Sequence, residues 1–354
     1  MPQKSIFHTE AETSLFVNQL HVNCWTDRNV QIPRYVNGVP VEFRQTLRLQ
    51  SLGRLVGNVA PSKAANIFNS KVLEVSSDAF GALPPEWRFN RLPPAGQQAN
   101  PVVNDSLVHC LHNKSVIPVH NLRHVRASGE LELGDGSILA DVDTIIFCTG
   151  YEYDCSILPD DINPMMVPHP EWDELPKVNG RRLVDLYQGI YSLQYPMSLA
   201  FVGLAGFPTS QMPCTDLVTM GIAQVWKGNY KLPSTMEMKK EIDVRHAWLT
   251  NMAKYENNPG VAPHRVKPGL WLQFLHSAAG TGVNEKLGYG WQGWWYWVTN
   301  FTFCNSLMGG ILSPHIWRLY DGRRKRWDGA KEAIMRTNNM VKSRNSGLQG
   351  VKTT

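Results

Sequence analysis

The chain has 354 residues, 43% of them hydrophobic and 18% charged. That globular composition offers apolar material for about two ordinary domains and excludes wholesale disorder or a collagen-like repeat. Basic residues outnumber acidic ones by 35 to 30, but the excess is local. Between Arg318 and Arg344 nine basic residues meet three acidic ones, so this window carries +6 and the remainder −1; a nucleic-acid binder that is basic throughout is excluded.

In chain order, Thr9 and Glu12 have capping-box spacing, and Leu15, Phe16 and Leu20 follow at helical intervals, which predicts a helix over 9–19. Leu20 to Trp25 alternates like a strand. An α/β domain usually opens with a strand and a glycine turn, so both are expected upstream of Met1. The prolines punctuating 30–115 predict loops and short helices, one near 62–70. Val116–Val119 reads as a short strand, and Leu131-Glu132-Leu133 before Gly134-Asp135-Gly136 reads as a hairpin. The apolar run Thr144–Cys148 predicts a central parallel strand buried on both faces, ending at Thr149-Gly150-Tyr151. Leu199–Val202 reads as a second buried strand. Helices are predicted over 215–227, closed by Gly228, over 234–257 and over 328–342.

Nucleophile and metal signatures are missing from the sequence. There is no GxSxG elbow. The six cysteines form no CxxC pair, and His120 and His124 lack the glutamate of a zincin, so no metal site is expected. Gly280-Thr281-Gly282 lacks the third glycine of a phosphate cradle and reads as a turn. Met1–Ser5 has no apolar signal segment, which predicts a cytoplasmic chain with reduced thiols. Residues 287–317 carry no Asp, Glu, Lys or Arg. This Trp-rich stretch is too polar for a spanning helix. It suits a packed core or channel wall, or a membrane-surface contact through 291–326 beside Arg323–Arg326. The small residues after Cys148 suit either close backbone approach to a flat ligand or an ordinary tight turn.

A collinear set of motifs adds to these readings. Asp141–Tyr151 (DVDTIIFCTGY) resembles the D-x-D-x-(I/V)-I-(F/Y)-A-T-G-Y segment of flavin-containing monooxygenases. Pro101–Asp105 is similar to their HPTVND stretch, and Leu199–Leu204 to LAFIGL. Met212–Gly228 is similar to MP(I/V)SEL…Q…(F/W)KG, Leu232–Met238 to LPSxxEM, and Trp327–Ile334 to KWxGARxAI.

The resemblance implies an α/β fold of FAD/NAD(P)-binding Rossmann-like type with two domains, N-terminally truncated. Residues 1–147 would be a partial NADP-binding domain, and 148–354 the C-terminal half of the FAD-binding domain with the family's C-terminal extension. It implies the cofactors FAD and NADP and a reaction in which reduced flavin and molecular oxygen oxygenate a soft nucleophile, an amine nitrogen or a sulfide. The family's glycine loops would lie upstream of Met1, and Cys148 stands where alanine is usual. The cofactor contacts carried over are Thr149, Gly150 and Tyr151 at the domain crossing, and Gly203, Cys214 and Thr215 where a helix N-terminus would face the flavin. Arg28 would accept the 2′-phosphate of NADP or be a solvated turn residue, and Thr215 would also serve as an ordinary helix cap. The alternative function is a non-catalytic remnant or interaction module without either glycine loop.

Overall fold

The structure is a computed structural model. It describes residues 4–9, 19–23, 29–36, 38–44, 46–87, 89, 92, 100–119, 122–148, 153–175, 178, 180–206, 211–254 and 261–350. The chain divides into two compact units. One comprises residues 1–41 and 61–152; the other comprises 42–60, which contains α1 (Leu47–Val59), and 153–354.

In chain order the first unit holds β1 (Lys4–Thr9), β2 (Gln19–Asn23), β3 (Asn29–Ile32), the small hairpin β4 (Tyr35–Val36) and β5 (Val39–Pro40), and α2 (Pro61–Phe80). β6 (Asn100–Val103), α3 (Leu107–His112), β7 (Val116–Val119), β8 (Leu122–Val125), β9 (Leu131–Leu133), β10 (Ile138–Leu139) and β11 (Val142–Cys148) follow. Four strands form a parallel sheet in the order β11-β1-β2-β7. β1, a strand the sequence reading did not include, pairs with both β2 and β11. Its polar Ser5 and His8 concealed it from a search for apolar alternation. The helix expected over 9–19 falls mostly outside the described residues.

Two further sequence readings change. Among the described residues β11 lies at the edge of this sheet rather than at its centre. Ile145 and Ile146 are half-buried, and Phe147 is 64% exposed. Its apolar run was misleading because a strand bordering a further layer has the same composition as one inside a sheet. Between residues 47 and 80 the chain forms helices of 13 and 20 residues instead of short pieces. α1 starts where Thr46 Oγ1 accepts from Leu49 N at 3.3 Å. α2 packs Phe68 and Val72 against Val30 and Ile32 of β3, which pairs with β6. Asn104, in the PVVND stretch, accepts from the backbone N–H groups of Ser106 and Leu107 and so starts α3. The β8-β9-β10 meander matches the expected hairpin.

The second unit is largely helical. It contains α4 (Pro170–Asp173), the hairpin β12 (Leu186–Tyr187) and β13 (Tyr191–Ser192), α5 (Gln211–Trp226), α6 (Thr235–Lys254) and α7 (Pro268–Ala279). After these come α8 (Val283–Lys286), α9 (Trp291–Thr299), α10 (Phe301–Met308) and α11 (Ala330–Gly350). Leu217, Val218, Ile222 and Val225 of α5 share a core with Trp271, Leu275 and Ala279 of α7. Gly221 of α5 faces Ala278 of α7, and a Cβ there would meet the alanine Cβ at an ordinary contact distance of 3.5 Å. α6 opens with a capping box in which Ser234 N donates to Glu237 Oε2 and Glu237 N donates to Ser234 Oγ. The Gly-Thr-Gly segment is a turn, with Gly280 and Gly282 in the left-handed region.

Leu199–Val202 is not a strand. It makes a single bridge from Ala200 to Tyr191, and Val202 is 49% exposed. α5 begins at Gln211, four residues before the predicted start, so Thr215 lies inside the helix and does not cap it. Among the described residues no helix is long and apolar enough to cross a membrane.

Candidate functional site

The second unit contains a small cleft lined by Gly189, Ile190, Phe201, Gly203, Ala205, Thr215, Val218 and Trp271. Three local devices build it. The first is the turn between β12 and β13, where Gln188 and Gly189 both have positive φ, a geometry that glycine supplies without strain. Trp271 Nε1 donates to Gln188 O at 2.9 Å, which fixes the indole against this turn. The second is the extended segment 201–206, held by Phe201 N donating to Ile190 O and Gly206 N to His264 O. Within it Gly203 adopts φ +95, and nothing stands within 4 Å of where its Cβ would be. The third is the first half of α5, which contributes Thr215 and Val218.

Of the residues expected at a cofactor site, Gly203 and Thr215 therefore line one cleft. Cys214 is buried beside it in the core, and burial pushes its thiol up to about 11, so it is a packing residue and not a thiolate. Arg28, Thr149, Gly150 and Tyr151 lie outside the described residues. Phe201 and Val218 fall within the resembling motifs but were not singled out, and Gly189, Ile190, Ala205 and Trp271 fall outside every motif. The signals available were the Gln188-Gly189 turn and a tryptophan at a core position of a helical pattern.

Charged groups surround the cleft without lining it. Asp216, the residue after Thr215, receives two hydrogen bonds from the Arg318 guanidinium, at 2.6 and 2.7 Å, which tie α5 to the 314–318 turn. Tyr153 OH donates to Gly203 O at 3.4 Å, and its ring meets His264 edge-on. Burial, with Arg181 adding to it, pushes His264 down to about 4, so this imidazole is neutral near pH 7. Tyr191 OH is buried without a hydrogen-bond partner, and burial raises its phenol.

The lining is apolar apart from the Thr215 hydroxyl and the glycine backbone. It offers no cation to a diphosphate. β1 and β2 are adjacent parallel strands, and a dinucleotide-binding domain carries its glycine loop after the first strand of such a pair. The sequence between these strands is Glu10-Ala11-Glu12-Thr13-Ser14-Leu15-Phe16-Val17-Asn18, without a glycine and with two acidic side chains. That composition does not fit a pyrophosphate, which needs close backbone N–H groups and no negative charge nearby.

The first unit holds a parallel α/β sheet, and the largely helical second unit holds an apolar, glycine-edged cleft. The chain belongs to the FMO-like family, the flavin-binding monooxygenase-like proteins, whose model matches residues 87–347. It is 37% identical over 307 residues to "Monooxygenase aurF" of Gibberella zeae, covering 87% of this chain and 57% of that protein. It is 27% identical over 312 residues to "Flavin-containing monooxygenase 5" of Oryctolagus cuniculus, covering 86% and 50%. Among solved structures, the S-allyl-L-cysteine S-oxygenase from Allium sativum aligns over 92% of this chain and 64% of its own, with a TM-score of 0.38 and 13% identity. The chain thus spans about half the length of the curated relatives it matches.

Proposed function

We propose that this chain supplies one wall of a flavin monooxygenase site that oxygenates a soft nucleophile, an amine nitrogen or a sulfide sulfur, with molecular oxygen as co-substrate. The observation that carries the reading is the cleft of Gly203, Thr215 and Trp271, which lies wholly within the span matched by the family model. When bound there, FAD supplies the redox chemistry. The chain's own residues do the rest. Gly203 admits the ring edge, Trp271 and Ile190 exclude water from it, and Thr215 offers a hydroxyl from α5. NADPH as reductant rests on family membership alone. The β1-to-β2 segment does not fit its diphosphate, and no step is routed through it. The domain reading, a partial NADP domain before residue 148 and the returning FAD half after it, is supported by a division into units close to that point.

The test is titration of the purified chain with FAD, followed by quenching of flavin fluorescence. Saturable binding that Gly203→Val and Thr215→Val each weaken supports the reading. Binding that neither variant changes overturns it.

One observation favours a second reading. The glycine-free crossover suits a non-catalytic module that keeps the fold without gripping a dinucleotide, and absence of any flavin binding would favour that reading. A membrane-surface contact through 291–326 is supported by α9, where Trp291, Trp294, Trp295 and Val298 are each more than half exposed.

A further inference from the structure

We propose that His169, Asp185 and His246 form a binding site for a divalent transition-metal ion of the zinc type. The three come from separate elements of the second unit. His169 immediately precedes α4, Asp185 immediately precedes β12, and His246 lies within α6. One ring nitrogen of each histidine and a carboxylate oxygen of Asp185 lie within 4.8 Å of one another. Asp185 and His246 are buried, and the His169 side chain is 17% exposed. Two imidazoles and a carboxylate are the donor set that zinc takes in three-ligand sites, with water in the fourth position.

The surroundings supply outer contacts of the kind such a site uses. Asp185 turns Oδ2 to His169 Nε2, 2.6 Å away, and Oδ1 to Lys239 Nζ at 3.3 Å. One oxygen thus faces the cluster while an outer cation holds the other. His246 Nε2 stands 3.1 Å from Val184 O. A carbonyl accepts only from a ring N–H, so this nitrogen carries the proton and Nδ1 carries a lone pair. That Nδ1 is buried and has no hydrogen-bond partner. Metal-ligating histidines commonly have this environment, one nitrogen committed to a backbone carbonyl and the other free for the ion.

A metal-free clasp of His169, Asp185 and Lys239 satisfies those three groups but leaves the His246 lone pair orphaned in the interior, an uncompensated desolvation. An ion takes the place of the proton shared by His169 and Asp185 and recruits His246 by a small ring rotation. No oxidant or reductant is involved. Lys239 and the Arg245 guanidinium, which donates to Val184 O and Leu186 O, are the cations nearby and moderate the affinity. The ion would staple the segment ahead of β12 to α6. That segment leads directly into the Gln188-Gly189 turn, but the site stands independently of the flavin reading.

The experiment uses the full chain, stripped with a chelator and titrated with Co²⁺ alone, with visible absorption and calorimetry as readouts. One equivalent of Co²⁺ should produce d–d bands without the charge-transfer absorption of thiolate ligation. Asp185→Asn, isosteric and able to keep its hydrogen bonds, and His169→Ala, at a partly exposed position, should each abolish the bands while circular dichroism stays native. Lys239→Ala, which within the cluster loses only the contact to the outer oxygen of Asp185 and otherwise the exposed pair with Asp243, should change the affinity by about 10-fold while keeping the bands. A natively folded wild-type chain without bands or binding heat, or bands that persist in both ligand variants, overturns the site.

Discussion

The cleft in the second unit and the β1-to-β2 crossover in the first are the two places where a dinucleotide cofactor would be met, and they differ in kind. The cleft has positive-φ glycines, a fixed indole and no charge among its lining residues. The crossover sequence has two glutamates and no glycine where phosphates would be neutralised. Recognition of a flat ring depends on packing and can persist in one unit. Recognition of a diphosphate depends on backbone N–H groups at one tight turn, and the β1-to-β2 sequence has no glycine for such a turn. The comparison predicts a chain that meets the ring and grips the tail poorly.

The largest expected effect comes from the packing side. Trp271→Ala removes a fully buried indole that joins α7 to the β12-β13 turn, and should cost roughly 3–5 kcal/mol in urea unfolding. A loss under about 1 kcal/mol would show that the cleft wall is not part of the core.

Acidification comes next. Burial holds His246 and His264 near 4 and His276 near 3 in the folded chain. The unfolded chain takes up these protons near 6.5, so the folded state's advantage is complete above that pH and declines as pH falls from about 6.5 toward 4. Asp185 acts in the same direction at lower pH. Burial alone would raise its carboxyl, but the His169 hydrogen bond and the charges of His246, His169 and Lys239 hold it below the usual range. Thermal midpoints should fall steadily from pH 7 to pH 4.5, and less so in His276→Gln. A flat profile would contradict the buried neutral imidazoles.

A smaller effect is expected at the bidentate pair. Asp216→Asn should cost about 1 kcal/mol, because both side chains are about a third exposed and solvent screens the charge. Its sharper consequence would be weaker flavin quenching, since the pair ties down the turn of α5 next to Thr215. The smallest effect on stability belongs to Trp294→Ala with Trp295→Ala, within about 0.5 kcal/mol of the parent. The same change should abolish co-sedimentation with anionic phospholipid vesicles if the α9 face rests on a membrane. Unchanged sedimentation would remove that reading.

Elements whose signals are local were legible in the sequence. The 131–139 hairpin announced itself by alternation and a Gly-Asp-Gly turn and the 280–282 turn by its glycines, and the helix expected over 234–257 matches α6. β1 was missed because four of its six residues, Lys4, Ser5, His8 and Thr9, are polar. β11 was taken for a central strand because apolar composition does not report how many layers cover a strand. α1 and α2 were underestimated because Pro61, read as a loop marker, occupies the first position of a helix, where proline is tolerated. At the candidate site, motif resemblance pointed to Gly203 and Thr215, but Trp271 and Gly189 join them only through tertiary packing. The cluster of His169, Asp185 and His246 spans separations of 16 and 61 residues, so no spacing rule could have flagged it.

The visible spectrum of the purified chain supplied with FAD and freed of excess tests the central claim most directly. The account predicts a retained flavin band near roughly 450 nm that disappears in Gly203→Val. A natively folded, colourless chain under the same conditions would contradict it.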